Sequence, residues 1–423
     1  MNTRNLRHAA VALAAVTLLT TACSTKASTS SSGTSDQGGI KTGTGVTKDT
    51  ITLGDLTDLH GVFASLGTSI TNANKLYWKQ RNDAGGVCGR KISIVVKDHG
   101  YDVQQAGPLY QQLKDQVLSL QQALGSPINT ALLSNYAQDK MVAIPSAWAS
   151  TLLKSDDIMI VGSTYDYEMI DGVDWLLQKG MIKPGDKIGH IYFEGEYGEN
   201  GAMGSRFAAS KNNLTLVEQK IKPTDVDVSA QIQTLKAAGV KAILLTAGPK
   251  QSAAAAGVAA SIGFNVPILS NNPGFAPGLL KTSAAPALEK NFYLIAAWAS
   301  AASTNPAVQN FVAAYKTAYP SAPVDSGIIW GLGASMAYDQ VLQKACDNKD
   351  LTRDGIIAAF RSLTAVDTKG VVAPLDYSTK GAAPTNKVYI FRADTATEGG
   401  LKEVQGLFAG KDAAGYVPPA LQK

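Results

Sequence analysis

From about residue 50 onward, short runs of apolar residues alternate with stretches whose apolar positions recur every three to four residues. The short runs 50–53, 92–96, 117–120, 141–144, 158–161, 188–193, 242–245, 268–269 and 292–295 predict strands. The stretches 68–83, 103–115, 128–139, 166–179, 201–212, 228–238 and 250–262 predict helices between them. Continuous apolar strands separated by helices and joined by short, Gly-rich connections belong to parallel sheets covered on both faces. The last third changes rhythm. Long helical patterns at 305–319, 327–346 and 352–363 precede strand-like 371–375 and 387–391, so the chain returns to complete a lobe begun earlier. The expected fold class is α/β, with two Rossmann-like lobes built on mostly parallel sheets and joined by a multi-strand hinge.

The first residues have a different pattern. Arg4 and Arg7 precede an apolar run at 9–19, too short for a membrane span of about 20 residues but right for a secretory signal. Thr20-Thr21-Ala22-Cys23 follows and resembles the bacterial lipobox, with Thr20 where Leu is usual. Lipidation at Cys23 and a lipid anchor on the extracytoplasmic face of the cell membrane are the expectation. Ordinary secretion is the alternative. Residues 24–45 are Ser, Thr, Gly and Lys with almost nothing apolar, and so are expected to form a flexible tether reaching about 25–30 Å. About 375 residues remain, more than one typical core. The expected division is a signal at 1–23, a tether at 24–45, lobe one from 46–164 with 300–370, and lobe two from 165–299 with 371–423.

The formal charge of +4 falls by two once Arg4 and Arg7 are removed, and charged residues are only 17% of the chain. That excludes an electrostatic footprint for nucleic acid. Without Cys23 two cysteines remain, Cys88 and Cys346. In an exported chain they are most simply a disulfide, with two free buried thiols as the alternative. No metal site and no cofactor are expected, because no C-x-x-C occurs and no His lies near either cysteine.

Several stretches taken in order are similar to the branched-chain amino-acid-type, type I periplasmic substrate-binding proteins of ABC importers. They are Gly61-Val62-Phe63-Ala64-Ser65-Leu66-Gly67, then Asn82-Asp83-Ala84-Gly85-Gly86 leading to Asp98-His99-Gly100-Tyr101-Asp102, and Leu124-Gly125-Ser126-Pro127 before a helix. Glu196-Tyr197-Gly198-Glu199-Asn200-Gly201, Leu235-Lys236-Ala237-Ala238-Gly239-Val240 and Leu351-Thr352-Arg353-Asp354-Gly355 follow. The resemblance spans 48 to about 395. It implies a monomer that binds a small polar molecule (amino acid, amide or small organic acid) by closing two lobes, and that delivers it to an ABC permease. A sensor that signals to a membrane receptor is the alternative.

The resemblance also implies a set of ligand contacts. From lobe one these are Ser65, Leu66, Ser126 and the segment Ala147-Trp148-Ala149-Ser150; from lobe two they are Tyr165, Tyr197, Gly248, Gln251, Asn271 and Asn272. The Asn pair stands where amino-acid-specific members carry an acidic residue for the ligand's ammonium. Ser126-Pro127 opens a helix, where free N–H groups suit a carboxylate. Gly195, Gly198, Gly201 and Gly204 recur every third residue. The inner two are read as backbone approaching ligand, the outer two as packing. His60 is a candidate contact and His190 a structural residue.

No catalytic residue is expected. The chain has no G-x-S-x-G elbow, no H-E-x-x-H and no phosphate-binding G-x-x-x-x-G-K-[ST] loop.

Overall fold

The computed structural model describes residues 35–37 and 39–422. Cys23, the segment expected to be a signal and most of the expected tether lie outside the described residues. The chain enters through strands β1 (Ser35–Gln37) and β2 (Ile40–Thr42). Four parallel strands follow: β3 (Thr50–Thr57), helix α1 (Ala64–Asp83), β4 (Lys91–Asp98), α2 (Val103–Leu113), β5 (Leu120–Leu124), α3 (Ser126–Asp139) and β6 (Ala143–Ser146). Their order in the sheet is β4-β3-β5-β6.

A second αβ series begins with α4 (Tyr165–Gln178). It continues through β7 (Lys187–Phe193), α5 (Glu196–Lys211), β8 (Thr215–Ile221), α6 (Ser229–Ala238), β9 (Ala242–Thr246), α7 (Pro249–Ser261), β10 (Ile268–Ser270), α8 (Ala285–Asn291) and β11 (Phe292–Ala296). The chain then returns to the first lobe. There α9 (Pro306–Ala318), α10 (Ser326–Asp347), the two-residue strand β12 (Asp350–Leu351) and α11 (Arg353–Arg361) cover its sheet, with α10 packed along α1. Finally β13 (Val388–Ala393) and β14 (Leu401–Phe408) join the second sheet antiparallel, giving the order β14-β13-β11-β10-β9-β7-β8.

Each sheet thus holds a parallel unit in which the first strand is flanked by the second and third. The connection reverses direction across the sheet at that point, and a crevice opens beyond the strand ends. Strand β3 lies between β4 and β5, and β7 between β8 and β9. The chain passes between the two sheets three times, after β6, after β11 and before β13.

Several expected elements differ. The run at 117–120 is not a strand. Residues 117–119 are a buried turn and pairing begins at Leu120, because Val117 and Leu118 pack against the sheet end. Segment 158–161 is fully buried and 371–375 is buried except at Pro374, yet they make only single bridges, to Ala143 and to Trp298 and Val366. They belong to the interlobe connections, where apolar burial does not require a ladder. Strands β8 and β14 were not expected: both are edge strands whose exposed sides carry polar residues. The folded body also begins before residue 46, since β2 pairs in parallel with β12.

Cys88 and Cys346 form a disulfide, with their Cα atoms 6.2 Å apart, joining the turn before β4 to the last turn of α10.

Candidate functional site

The loops at the C-terminal ends of both sheets converge on one cavity. The β3–α1 loop is shaped by Asp58. Its carboxylate accepts the backbone N–H groups of Gly61 at 2.5 Å, His60 at 3.2 Å and Phe63 at 2.9 Å. This turn presents Phe63, and the first turns of α1 add Leu66 and Ile70. After β5 the chain turns at Gly125, which has φ 101°. A Cβ there would stand 2.8 Å from the Tyr101 ring, so both the backbone and the space require glycine. Ser126 follows at the start of α3.

Aromatic rings form most of the wall. Trp148 packs against Tyr165, Trp298 and Trp330 with centroids 5.9, 5.2 and 5.3 Å apart. Tyr165 meets Tyr197 at 4.6 Å, and Phe63 meets Tyr101 at 5.0 Å. Tyr197 is held by its hydroxyl, which donates to the Ala247 carbonyl at 3.2 Å. The second lobe completes the wall with Asn272 and Pro273, and α10 with Ser326, Gly327 and Trp330. Asp325 caps α10, accepting from Gly327 N at 2.9 Å and Ile328 N at 3.3 Å, and so fixes the turn that reaches the cavity.

Among the described residues no Asp, Glu, Lys, Arg or His lines the cavity. Its polar equipment is small. The Trp298 indole N–H and the hydroxyls of Ser126 and Ser146 are buried without a hydrogen-bond partner, although the Tyr165 hydroxyl lies close enough to Ser126 to interact with it. Buried polar groups normally find partners, so the Trp298 indole and the Ser146 hydroxyl, with the Ser126–Tyr165 pair beside them, mark where a ligand's polar atoms would sit. Burial drives the phenols of Tyr165 and Tyr197 well above their ordinary range, so both rings are neutral.

Of the thirteen residues expected to contact ligand, Leu66, Ser126, Trp148, Tyr165, Tyr197 and Asn272 line the cavity. The others lie elsewhere. Ser65 is exposed on α1, while Ala147 and Ala149 are buried beside Trp148. The Ser150 hydroxyl is engaged by Asp166 and by Asn200 Nδ2 at 2.8 Å. Gln251 donates to the carbonyls of Pro223 and Asp225, pinning the loop before α6. Asn271 sits one layer behind the wall, and Gly248 faces Val62 across the cleft.

The glycines of α5 approach protein, not the cavity. Gly198 lies against the Phe193 backbone and Gly201 against Thr246, which corrects the reading of the inner pair. His60 is exposed and pairs with Asp98 at 2.7 Å; it does not reach the cavity. His190 is buried between Ser205 and Thr246.

Sequence reasoning missed Phe63, Tyr101, Ser146, Trp298 and Trp330 among others. An aromatic or serine at or just beyond a strand end was the available signal for the first four; Trp330 arrives from a helix far along the chain.

Residues 50–400 match the family described as periplasmic binding protein. The chain belongs to that family. A solved structure titled a fatty acid ABC transporter substrate-binding protein from Thermomonospora curvata is 45% identical. It covers 90% of this chain and 97% of its own, with a TM-score of 0.88. A branched-chain amino acid ABC transporter structure from Thermus thermophilus, titled as holding valine, is 17% identical; it covers 87% of this chain and 98% of its own, with a TM-score of 0.77. That second likeness is one of fold. No match is found among curated proteins. The chain is therefore an extracytoplasmic substrate-binding protein of the ABC-transporter type. No helix among the described residues is long and apolar enough to cross a membrane.

Proposed function

We propose that this protein captures a carboxylic acid with an apolar body and one compact polar head, and delivers it to an ABC permease while anchored to the membrane through Cys23. The observation that carries this reading is the cavity wall, which is aromatic and aliphatic throughout and has no ionisable side chain except neutral tyrosines. An α-amino acid would bring an ammonium group with no carboxylate to meet it, at a high desolvation cost. A fatty or aromatic acid would place its tail against Phe63, Leu66, Ile70 and the tryptophans. Its carboxyl would lie at the Ser126 end of α3, where a hydroxyl, free N–H groups and the helix dipole favour negative charge. The name of the Thermomonospora curvata relative supports the same class. Binding is by closure: residues 46–164 with 300–370 and residues 165–299 with 371–423 act as the two halves, rotating about the three connections.

The test is tryptophan fluorescence, since Trp148, Trp298 and Trp330 line the cavity. Titration of the purified protein with octanoate and decanoate gives a saturable change and leucine gives none. Saturable binding of leucine without binding of either acid would sink this reading. Ser126→Ala weakens binding of the acids by roughly five- to tenfold, the scale of one buried hydrogen bond.

A further inference from the structure

One layer behind the cavity wall, Glu168 of α4 faces two neighbouring amides and is fully buried. Its Oε2 accepts Asn271 Nδ2 at 2.7 Å and the backbone N–H of Asn272 at 3.4 Å. Among the described residues its Oε1 accepts only Asn272 Nδ2, at 2.9 Å. Asn271 is unable to turn. Its carbonyl oxygen takes the Thr246 hydroxyl at 2.5 Å, and Thr246 Oγ1 in turn meets His190 Nε2 at 2.9 Å. Thr246 has one proton, committed to Asn271, so His190 donates from Nε2; burial lowers its pKa to about 3 and keeps it neutral. Asn272 has no such second anchor: among the described residues nothing donates to its Oδ1, and the residue lines the cavity.

We propose that the charge state of Glu168 decides which end of the Asn272 amide the cavity offers to a ligand's head group. This rests on the reading above that a head group sits in the cavity. An ionised Glu168 only accepts, so it holds the amide nitrogen against Oε1 and leaves the carbonyl oxygen to the cavity. The head must then bring a hydrogen-bond donor. One proton taken up from solvent on Oε1 has no acceptor unless the Asn272 amide turns over. The carbonyl then faces Glu168, the amino group faces the cavity, and a carboxylate or ester carbonyl is welcomed. Burial favours the protonated form and pushes the Glu168 pKa up to about 8, against the opposing pull of the Asn272 and Asn271 bonds. The groups that feel its charge are Asp166, Asp171 and Tyr165 on the same helix and Tyr197 on α5; none of these is a cation. Glu168 is thus a positioning residue for specificity, acting through Asn272.

The probes are octanamide and methyl octanoate, which share a tail and carry no charge between about pH 6 and 9.5. Only the amide carries a donor. In the wild-type protein the ratio of ester Kd to amide Kd is about tenfold higher at the alkaline end than at the acid end, the scale of one buried hydrogen bond. The ratio is flat with pH in Glu168→Gln, where nothing titrates, and in Asn272→Leu, where there is no amide to turn. A flat ratio in the wild type overturns the proposal without needing either variant to fold, and so does a pH response that persists in Glu168→Gln. Failure of both probes and of octanoate to bind at any pH removes the underlying reading of the cavity, and this proposal with it.

Discussion

Trp148 and Trp330 donate their indole N–H groups to the same acceptor, the carbonyl oxygen of Val161, each at 2.9 Å. One ring follows β6 and the other rides on α10, almost two hundred residues apart, with their planes at 82°. The shared acceptor lies in the extended, buried interlobe segment. One peptide carbonyl therefore sets the spacing of two walls of the cavity.

Replacing either tryptophan by phenylalanine leaves that carbonyl one partner, so each single change should cost about 1–2 kcal/mol through packing and one lost bond. The double replacement leaves it buried with none. Its cost should exceed the sum of the singles by about 1 kcal/mol or more, read as the interaction energy of a double-mutant cycle in urea unfolding. Strict additivity would mean that the shared acceptor does not couple the two walls.

The proposed closure would meet a steric checkpoint. Gly248 has an ordinary backbone conformation, with φ −84°, yet a Cβ there would lie 3.2 Å from Val62 Cγ1 of the other lobe and 2.9 Å from Gln251 Oε1. Gly248→Val should weaken ligand affinity about tenfold, because the Val62 contact belongs to the closed form, while the Gln251 contact, present in both forms, is met by a shift of that side chain's end and should cost the unliganded protein about 1 kcal/mol. Small-angle scattering in saturating ligand should show a larger radius of gyration than wild type. Equal affinity and equal radius would argue that the lobes tolerate the added bulk.

Two carboxyls in the first lobe are buried with few partners. Asp55 and Asp325 are each raised by burial from 3.8 to about 7, against hydrogen bonds from Asn74 and from Ser69 and the α10 turn respectively. Between those values the folded chain keeps protons that the unfolded chain has released. Their contribution to stability is complete at or below about pH 4 and declines until about pH 7. Asp325→Asn keeps a capping oxygen but does not titrate. Its Tm relative to wild type should rise by a few degrees between pH 5 and 8, measured calorimetrically at constant ionic strength. A pH-independent difference would show that Asp325 titrates normally.

The Cys88–Cys346 bridge spans 258 residues of sequence. In the chain-entropy account its loss should lower stability by about 3–5 kcal/mol. Urea unfolding of the Cys88→Ser/Cys346→Ser double variant measures this directly. A change below about 1 kcal/mol would mean that the unfolded chain is already restrained in that region.

The parallel units were legible because their strands, buried on both faces, are unbroken apolar runs: β7 and β9 emerge directly from 188–193 and 242–245. β8 and β14 escaped because an edge strand interrupts its apolar residues with polar ones, here Glu218 and Lys220 on β8 and Lys402 and Glu403 on β14. Segment 158–161 misled in the opposite way, since burial alone produces the same letters as a strand. In the cavity, the residues on loops within recognisable βα units were found, as Ser126 and Tyr197 show. Trp298 was passed over although it lies just beyond the end of β11. Trp330 was not legible, because nothing local distinguishes a helical aromatic that faces a cavity from one that fills a core; only the return of the chain across the lobes brings it to Trp148.

Phe63, Leu66, Tyr165, Tyr197, Trp148 and Trp298 are each less than a tenth exposed, although all of them line the cavity. If the proposed closure buries a guest there, its departure would await separation of the halves. Its residence time would then be set by how often the jaws part and not by the strength of its grip. Two cargoes of unequal affinity would be released at similar rates, and a membrane partner that pries the lobes apart would control delivery without touching the cargo.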